Sequence, residues 1–199
     1  MPTLLHTSRT ARTLFNVVQA AWILSEVRIR LTRPARTGTA HAWTNLTSRA
    51  VMGVGIGGGL FGAFTVAGNS TGPLIAGRSW ALFAFGLTVA VVGVALRQWA
   101  VQVLGRFFQL VLVVQEQHAV VRSGPYRLLR HPSYAGLVLT CTGLGIALGR
   151  WESLAFLSVL PTAAVVHRIT VEERMLVAGV GDEYAQYRRG TWRLLPGVW

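Results

Sequence analysis

The chain has 199 residues, 52% of them hydrophobic and 13% charged, with a mean hydropathy of +0.46. A soluble domain carries about a quarter charged residues; here long uncharged stretches alternate with clusters of charge, the pattern lipid imposes because it does not solvate ions. The net charge of +12 comes from 19 basic residues, all Arg, against 7 acidic ones, and the Arg residues flank apolar runs, which points to anionic lipid headgroups and away from nucleic acid.

The size fits one membrane domain over residues 1–199. Cys141 is the single cysteine and lies in an apolar run. That excludes an intrachain disulfide and a cysteine-based metal site, and the residue reads as a small buried apolar group. No metal centre is expected, since no His has a second ligand at suitable spacing. The first apolar run lacks a clean small-residue cleavage site after it, so it reads as a membrane helix and not a leader.

Five spans are expected in an all-α, polytopic fold. The first covers Leu14 to Leu31, with Glu26, Arg28 and Arg30 in its last turns at the interface. The second covers Ala50 to Gly68, where Gly55/Gly59 and Gly58/Gly62 form small-xxx-small pairs that let helix backbones approach closely. The third covers Trp80 to Leu104, with Arg97 expected to snorkel to the interface. Phe107 to Val114 is too short to cross as a helix and reads as interfacial or re-entrant. The fourth span, Tyr134 to Leu148, and the fifth, Leu154 to Val166, form a helical hairpin around Gly149-Arg150-Trp151, with a kink expected at Pro161. Residues Gln115 to Pro132 form a polar connector and Arg168 to Trp199 a polar tail.

Five spans place fifteen Arg residues on the side of the connector and tail and four on the other. This bias predicts a cytoplasmic connector and C-terminus. The absence of Lys fits a GC-rich genome, and the expected location is a bacterial inner membrane. The sequence is silent on oligomeric state.

Chemistry-bearing residues gather in two places. In the connector, Gly124-Pro125 is a turn signal. Pro132 suits the first position of a helix, which makes His131 the residue before it. A helix start offers free N–H groups to a carboxylate or phosphate, and Arg130 adds charge. Tyr134 lies on nearly the same face as His131, and Gly136 leaves room for a neighbouring backbone or a ligand. After the fifth span stands His167-Arg168-Ile169-Thr170-Val171-Glu172-Glu173-Arg174. Arg168 and Glu172 share a helix face, whereas the adjacent carboxylates of Glu172 and Glu173 point about 100° apart and do not serve one ion pair. In the tail, Tyr184 and Tyr187 share a face that covers an adenine-sized ligand or anchors the segment at the interface; Trp192 and Trp199 read as interfacial anchors.

Ser-Gly-Pro-Tyr-x-x-x-Arg-His-Pro-x-Tyr-x-Gly at 123–136, the apolar hairpin, Glu172-Glu173 and Gly181-x-x-Tyr184-x-x-Tyr187 together resemble the isoprenylcysteine carboxyl methyltransferase family. Leu104-Gly105-Arg106-Phe107-Phe108 and the ending Leu194-Leu195-Pro196-Gly197 fit the same pattern, which covers residues 97–199; residues 1–78 carry none of it. The resemblance implies an S-adenosylmethionine-dependent membrane enzyme that releases S-adenosylhomocysteine and takes a lipophilic substrate from the bilayer. It implies cofactor contacts from Gln115, Gly124, Pro125, Tyr126, Arg130, His131, Tyr134, Gly136, Glu173, Tyr184 and Tyr187, with Arg168 and Glu172 facing the substrate. A carboxylate acceptor is expected. A phospholipid N-methyltransferase, an NADPH-dependent sterol-type reductase with a similar Arg-His-Pro pattern, and a non-catalytic scaffold remain as alternatives.

Overall fold

A computed structural model describes residues 3–32, 42–69, 72–76, 79–105 and 120–199. The described residues form helices joined by short connections: α1 (Leu4–Thr7), α2 (Arg9–Thr32), α3 (Ala42–Asn69), α4 (Trp80–Leu104), a 3-10 turn (Gly124–Arg127), α5 (Pro132–Leu148), α6 (Trp151–Val180) and α7 (Asp182–Arg189). Residues 106–119 lie outside this description, and with them Gln115 and the expected re-entrant stretch Phe107–Val114.

Among the described residues, three helices are long and apolar enough to cross a membrane: α3 over Leu46–Asn69, α4 and α6. Their outer faces carry exposed Val54 and Phe61, Phe85 and Val92, and Val159 and Leu160, and α2 adds Leu14, Ile23 and Leu24. Water penalises such a belt, whereas hydrocarbon accepts it. α5 is shorter, but twelve of its seventeen residues are buried. It is the centre of the bundle, wrapped by α4 and α6, so protein rather than lipid sets its length.

Local chemistry fixes the helix ends. Ser79 caps α4, its side-chain oxygen accepting the Leu82 N–H at 3.2 Å. Pro132 opens α5, and Gly149 closes it in the left-handed region at φ 75°, where a Cβ is penalised. The hairpin turn is stitched to the α3–α4 connection: the Ile75 N–H donates to the Gly149 carbonyl at 3.0 Å, and the buried Arg150 donates through Nη1 to the Gly72 carbonyl at 2.7 Å.

Two seams of small residues hold the bundle. In α3, Gly55, Gly59 and Gly62 face α6, where a Cβ would meet Ala164, the Phe156 carbonyl and the Phe156 ring. The spacing anticipated this for Gly55/Gly59. The second seam was not anticipated: Gly86, Ala90 and Gly93 of α4 lie against Gly136, Thr140, Gly143 and Ala147 of α5. A Cβ on Gly143 would strike the Ala90 backbone and come within 2.6 Å of the Gly86 carbonyl. Gly143→Val should therefore destabilise by about 1–3 kcal/mol, the cost of overpacking a tight core. Gly57→Ala, where a Cβ meets nothing within 4 Å, should leave thermal unfolding in detergent unchanged.

One expectation needs correction and one is extended. The helix that carries the fifth span continues past Val166 to Val180 and stays helical through Pro161. At 1.5 Å per residue its thirty residues reach about 45 Å, beyond a hydrocarbon core of about 30 Å, so the helix carries its charged end out of the lipid. Arg97 does not snorkel. It is buried, with its guanidinium held on both carboxylate oxygens of Glu26 in α2, the second at 2.8 Å.

Candidate active site at the end of the bundle

The connector and the tail meet at the end opposite the α5–α6 turn. The Arg130 and His131 N–H groups donate to the Trp192 and Arg193 carbonyls at 2.7 and 3.1 Å, and the Trp192 N–H returns to the Leu128 carbonyl at 3.0 Å. The Tyr187 hydroxyl donates to the Tyr126 carbonyl at 2.7 Å, and the Arg122 guanidinium lies over the Tyr187 ring, 5.9 Å from its centroid. Tyr187 thus ties the tail to the connector. The His131–Pro132 junction is the expected helix entry, although the Tyr134 N–H turns back to the His131 carbonyl at 3.1 Å, leaving that donor committed.

Two polar clusters stand on α6 where it leaves the apolar region. Glu173, 4% exposed, is the hub of the first. Its Oε1 accepts from Arg130 Nε at 2.8 Å and lies 3.4 Å from His131 Nε2; its Oε2 accepts from Arg193 Nε at 3.1 Å, with Arg188 Nε 3.9 Å away. Arg130 also donates through Nη1 to the Arg188 and Thr191 carbonyls. A buried carboxylate is tolerable only when so paired.

The second cluster centres on the Tyr134 hydroxyl. It donates to Glu172 Oε2 at 2.8 Å and accepts from Arg168 Nε at 3.2 Å. Arg168 is buried and also donates through Nη1 to Ser48 Oγ of α3 at 3.1 Å. The two acids on α6 thus serve different partners, as their angular separation requires. The His131 and Tyr134 rings stack with centroids 5.8 Å apart and link the clusters.

A cavity of about 430 Å³ opens beside the first cluster, lined by Thr170, Glu173, Arg174, Val177, Arg188 and Arg193 among others; small-molecule pockets span about 300–1,000 Å³. The buried Tyr184 hydroxyl has no hydrogen-bond partner among the described residues. Its pKa is pushed up by burial first and then by the charges of Glu173 and Glu172, which puts it within electrostatic reach of both clusters. Burial also pushes the Tyr126 hydroxyl up, and that of Tyr187 to about 12, so all three remain protonated at neutral pH. Among the described residues, no three His, Cys, Asp or Glu side chains gather as metal ligands.

Of the residues singled out from sequence, Arg130, His131, Tyr134, Arg168, Glu172 and Glu173 come together directly. Gly124, at φ 55°, with Pro125 and Tyr126 forms the turn beneath them. Gly136 does not face this chamber: a Cβ there would meet the Gly93 carbonyl and the Arg97 backbone of α4, so its lack of a side chain serves helix packing. Gln115 is outside the described residues. Ser48, Arg188 and Arg193 were missed, and no local pattern marks them; they reach the site from other elements.

The fold and site define an integral membrane protein of packed helices that closes a charged chamber at one end of its bundle. Residues 85–178 match the model of the isoprenylcysteine carboxyl methyltransferase (ICMT) family, and over these residues the chain is similar to that family. It is 32% identical over 112 residues to protein-S-isoprenylcysteine O-methyltransferase B of Arabidopsis thaliana, covering 55% of this chain and 57% of that protein. It is 36% identical over 114 residues to the cobalt-zinc-cadmium resistance protein CzcN of Cupriavidus metallidurans, covering 55% and 49%. The chain thus spans about half the length of these relatives. The solved structure of a eukaryotic intramembrane Ras methyltransferase, ICMT, matches with a TM-score of 0.68 at 20% identity, over 92% of this chain and 65% of that one. At that identity the likeness concerns the fold.

Proposed function

We propose that the protein transfers a methyl group from S-adenosylmethionine to a lipophilic acceptor bearing a carboxylate, at the cytoplasmic boundary of a bacterial inner membrane that it crosses five times. The carrying observation is the pairing of two polar clusters on one helix end, Glu173 with Arg130, His131 and Arg193, and Tyr134 with Arg168 and Glu172. The family match and the O-methyltransferase relative support the same reaction class.

The residues present fit the cofactor. The cavity has small-molecule size, and the buried Tyr184 hydroxyl lacks a partner among the described residues. S-adenosylmethionine, when bound, supplies an activated methyl on a sulfonium. Glu173, Arg130, His131 and the 124–126 turn would hold it by charge and hydrogen bonding, and the nearby rings of Tyr126, Tyr134, Tyr184 and Tyr187 are of the aromatic kind that attracts a sulfonium. Arg168 has the planar fork that grips an acceptor carboxylate, and Tyr134 and Ser48 hold that fork in place. A carboxylate is already a nucleophile, so the chain needs no general base; alignment and exclusion of water supply the rate.

Purified protein in lipid should bind S-adenosylhomocysteine and ignore NADPH. With an isoprenylated cysteine analogue and labelled donor, it should yield a base-labile methyl ester. Binding of NADPH alone would sink the reading, and a base-stable methylamine product would replace the carboxylate with an amine.

A further inference from the structure

The pair Glu26–Arg97 stands within the bundle and belongs to neither site cluster. Arg97 lies on α4 and is 6% exposed, while Glu26 belongs to α2, in the stretch that the family model does not cover. Burying two charges among apolar helices costs several kcal/mol per ion before their attraction is counted. A plain pair of leucines would pack α2 onto α4 more cheaply. The pair does one thing that leucines do not: Arg97 Nη1 donates to the Ser133 carbonyl at 3.1 Å.

That carbonyl belongs to the same rigid peptide plane as the Tyr134 N–H. Glu26 aims the guanidinium through Nε and Nη2, and the remaining nitrogen grips the plane from which the Tyr134 side chain departs. Tyr134 in turn holds Arg168 and Glu172 and stacks on His131. Gly136 lets α4 approach closely enough for this grip.

We propose that Glu26 and Arg97 are positioning residues: α2 sets the orientation of Tyr134, and through it Arg168, by way of the Arg97–Ser133 bond. The catalytic consequence rests on the function proposed above; the geometric one does not. The discriminating variant is the exchange Glu26→Arg with Arg97→Glu. It restores opposite charges across α2 and α4 but leaves position 97 without a donor for the Ser133 carbonyl. If the pair positions the site, each single variant loses thermal stability and turnover, whereas the exchange recovers stability and leaves turnover reduced at least tenfold. Recovery of both would make the pair purely structural and overturn the proposal. Should the exchange fail to fold, Arg97→Lys serves instead. It retains a charge for Glu26 but not the three-point fork, and it should lower kcat more than it alters KM at nearly unchanged melting temperature; unchanged kcat would overturn the proposal. Amide exchange over residues 133–137 provides a readout independent of activity. It should quicken in Arg97→Lys while exchange at the α6 end stays as in the native protein, and unchanged protection at 133–137 would equally overturn it. If the native protein transfers no methyl group but this exchange pattern holds, the functional reading fails and the positioning role stands.

Discussion

Glu173→Gln should be the most damaging single substitution in the polar end of the bundle. The carboxylate is buried and faces Arg130, His131 and Arg193 within hydrogen-bonding distance. Neutralising it leaves cations that were brought out of water for its sake. Removing one partner of a buried ion pair costs about 3–5 kcal/mol, and here one carboxylate answers several guanidinium groups. The amide can accept from one neighbour, but it presents its own N–H groups to another. The expected result is a large fall in melting temperature in detergent, loosening of the tail at residues 191–194, and loss of S-adenosylhomocysteine binding. Calorimetry with the product and limited proteolysis of the tail check it. Native-like binding by a folded variant would remove Glu173 from the cofactor site.

Arg168→Ala should separate binding from turnover. Arg168 is held by Tyr134 and Ser48, away from the Glu173 hub, so product affinity should change by less than about threefold, under about 0.7 kcal/mol. Loss of a preorganised charge donor lowers catalysis by about 10²–10³, and the proposed grip on the acceptor carboxylate goes with it. Arg168→Lys keeps the charge without the planar fork and should recover only part of the rate. Single-turnover methyl transfer measured beside product affinity distinguishes the two effects. Normal turnover in Arg168→Ala would reject its role toward the substrate.

Much of the site was readable because backbone punctuation surrounds it. Gly124-Pro125 and Pro132 announce a turn and a helix start, and the structure places both there. Glu172 and Glu173 stand out as adjacent acids in an acid-poor chain, and helix geometry alone demands separate partners for them. The extent of α6 was not readable by the same means. Charge at Arg168 marks the exit from lipid, and a helix does not stop at that boundary. Arg97 was misjudged because a snorkelling Arg and a paired one have the same local sequence; the distinction lies in Glu26, 71 positions earlier. The α4–α5 seam escaped for a related reason. Gly86 and Gly93 on one helix, with Gly136 and Gly143 on the other, gain meaning only when the two helices are known to be neighbours.

Under the proposed function, the length of α6 has a consequence for how a methyl donor and a greasy acceptor would meet. A charged nucleoside has negligible solubility in oil, and a prenyl-like chain has negligible solubility in water. A rod that crosses the acyl chains and finishes in the aqueous phase would give each reactant its own solvent along a single scaffold. Neither molecule must cross the phase boundary, and only the reacting ends need to touch there.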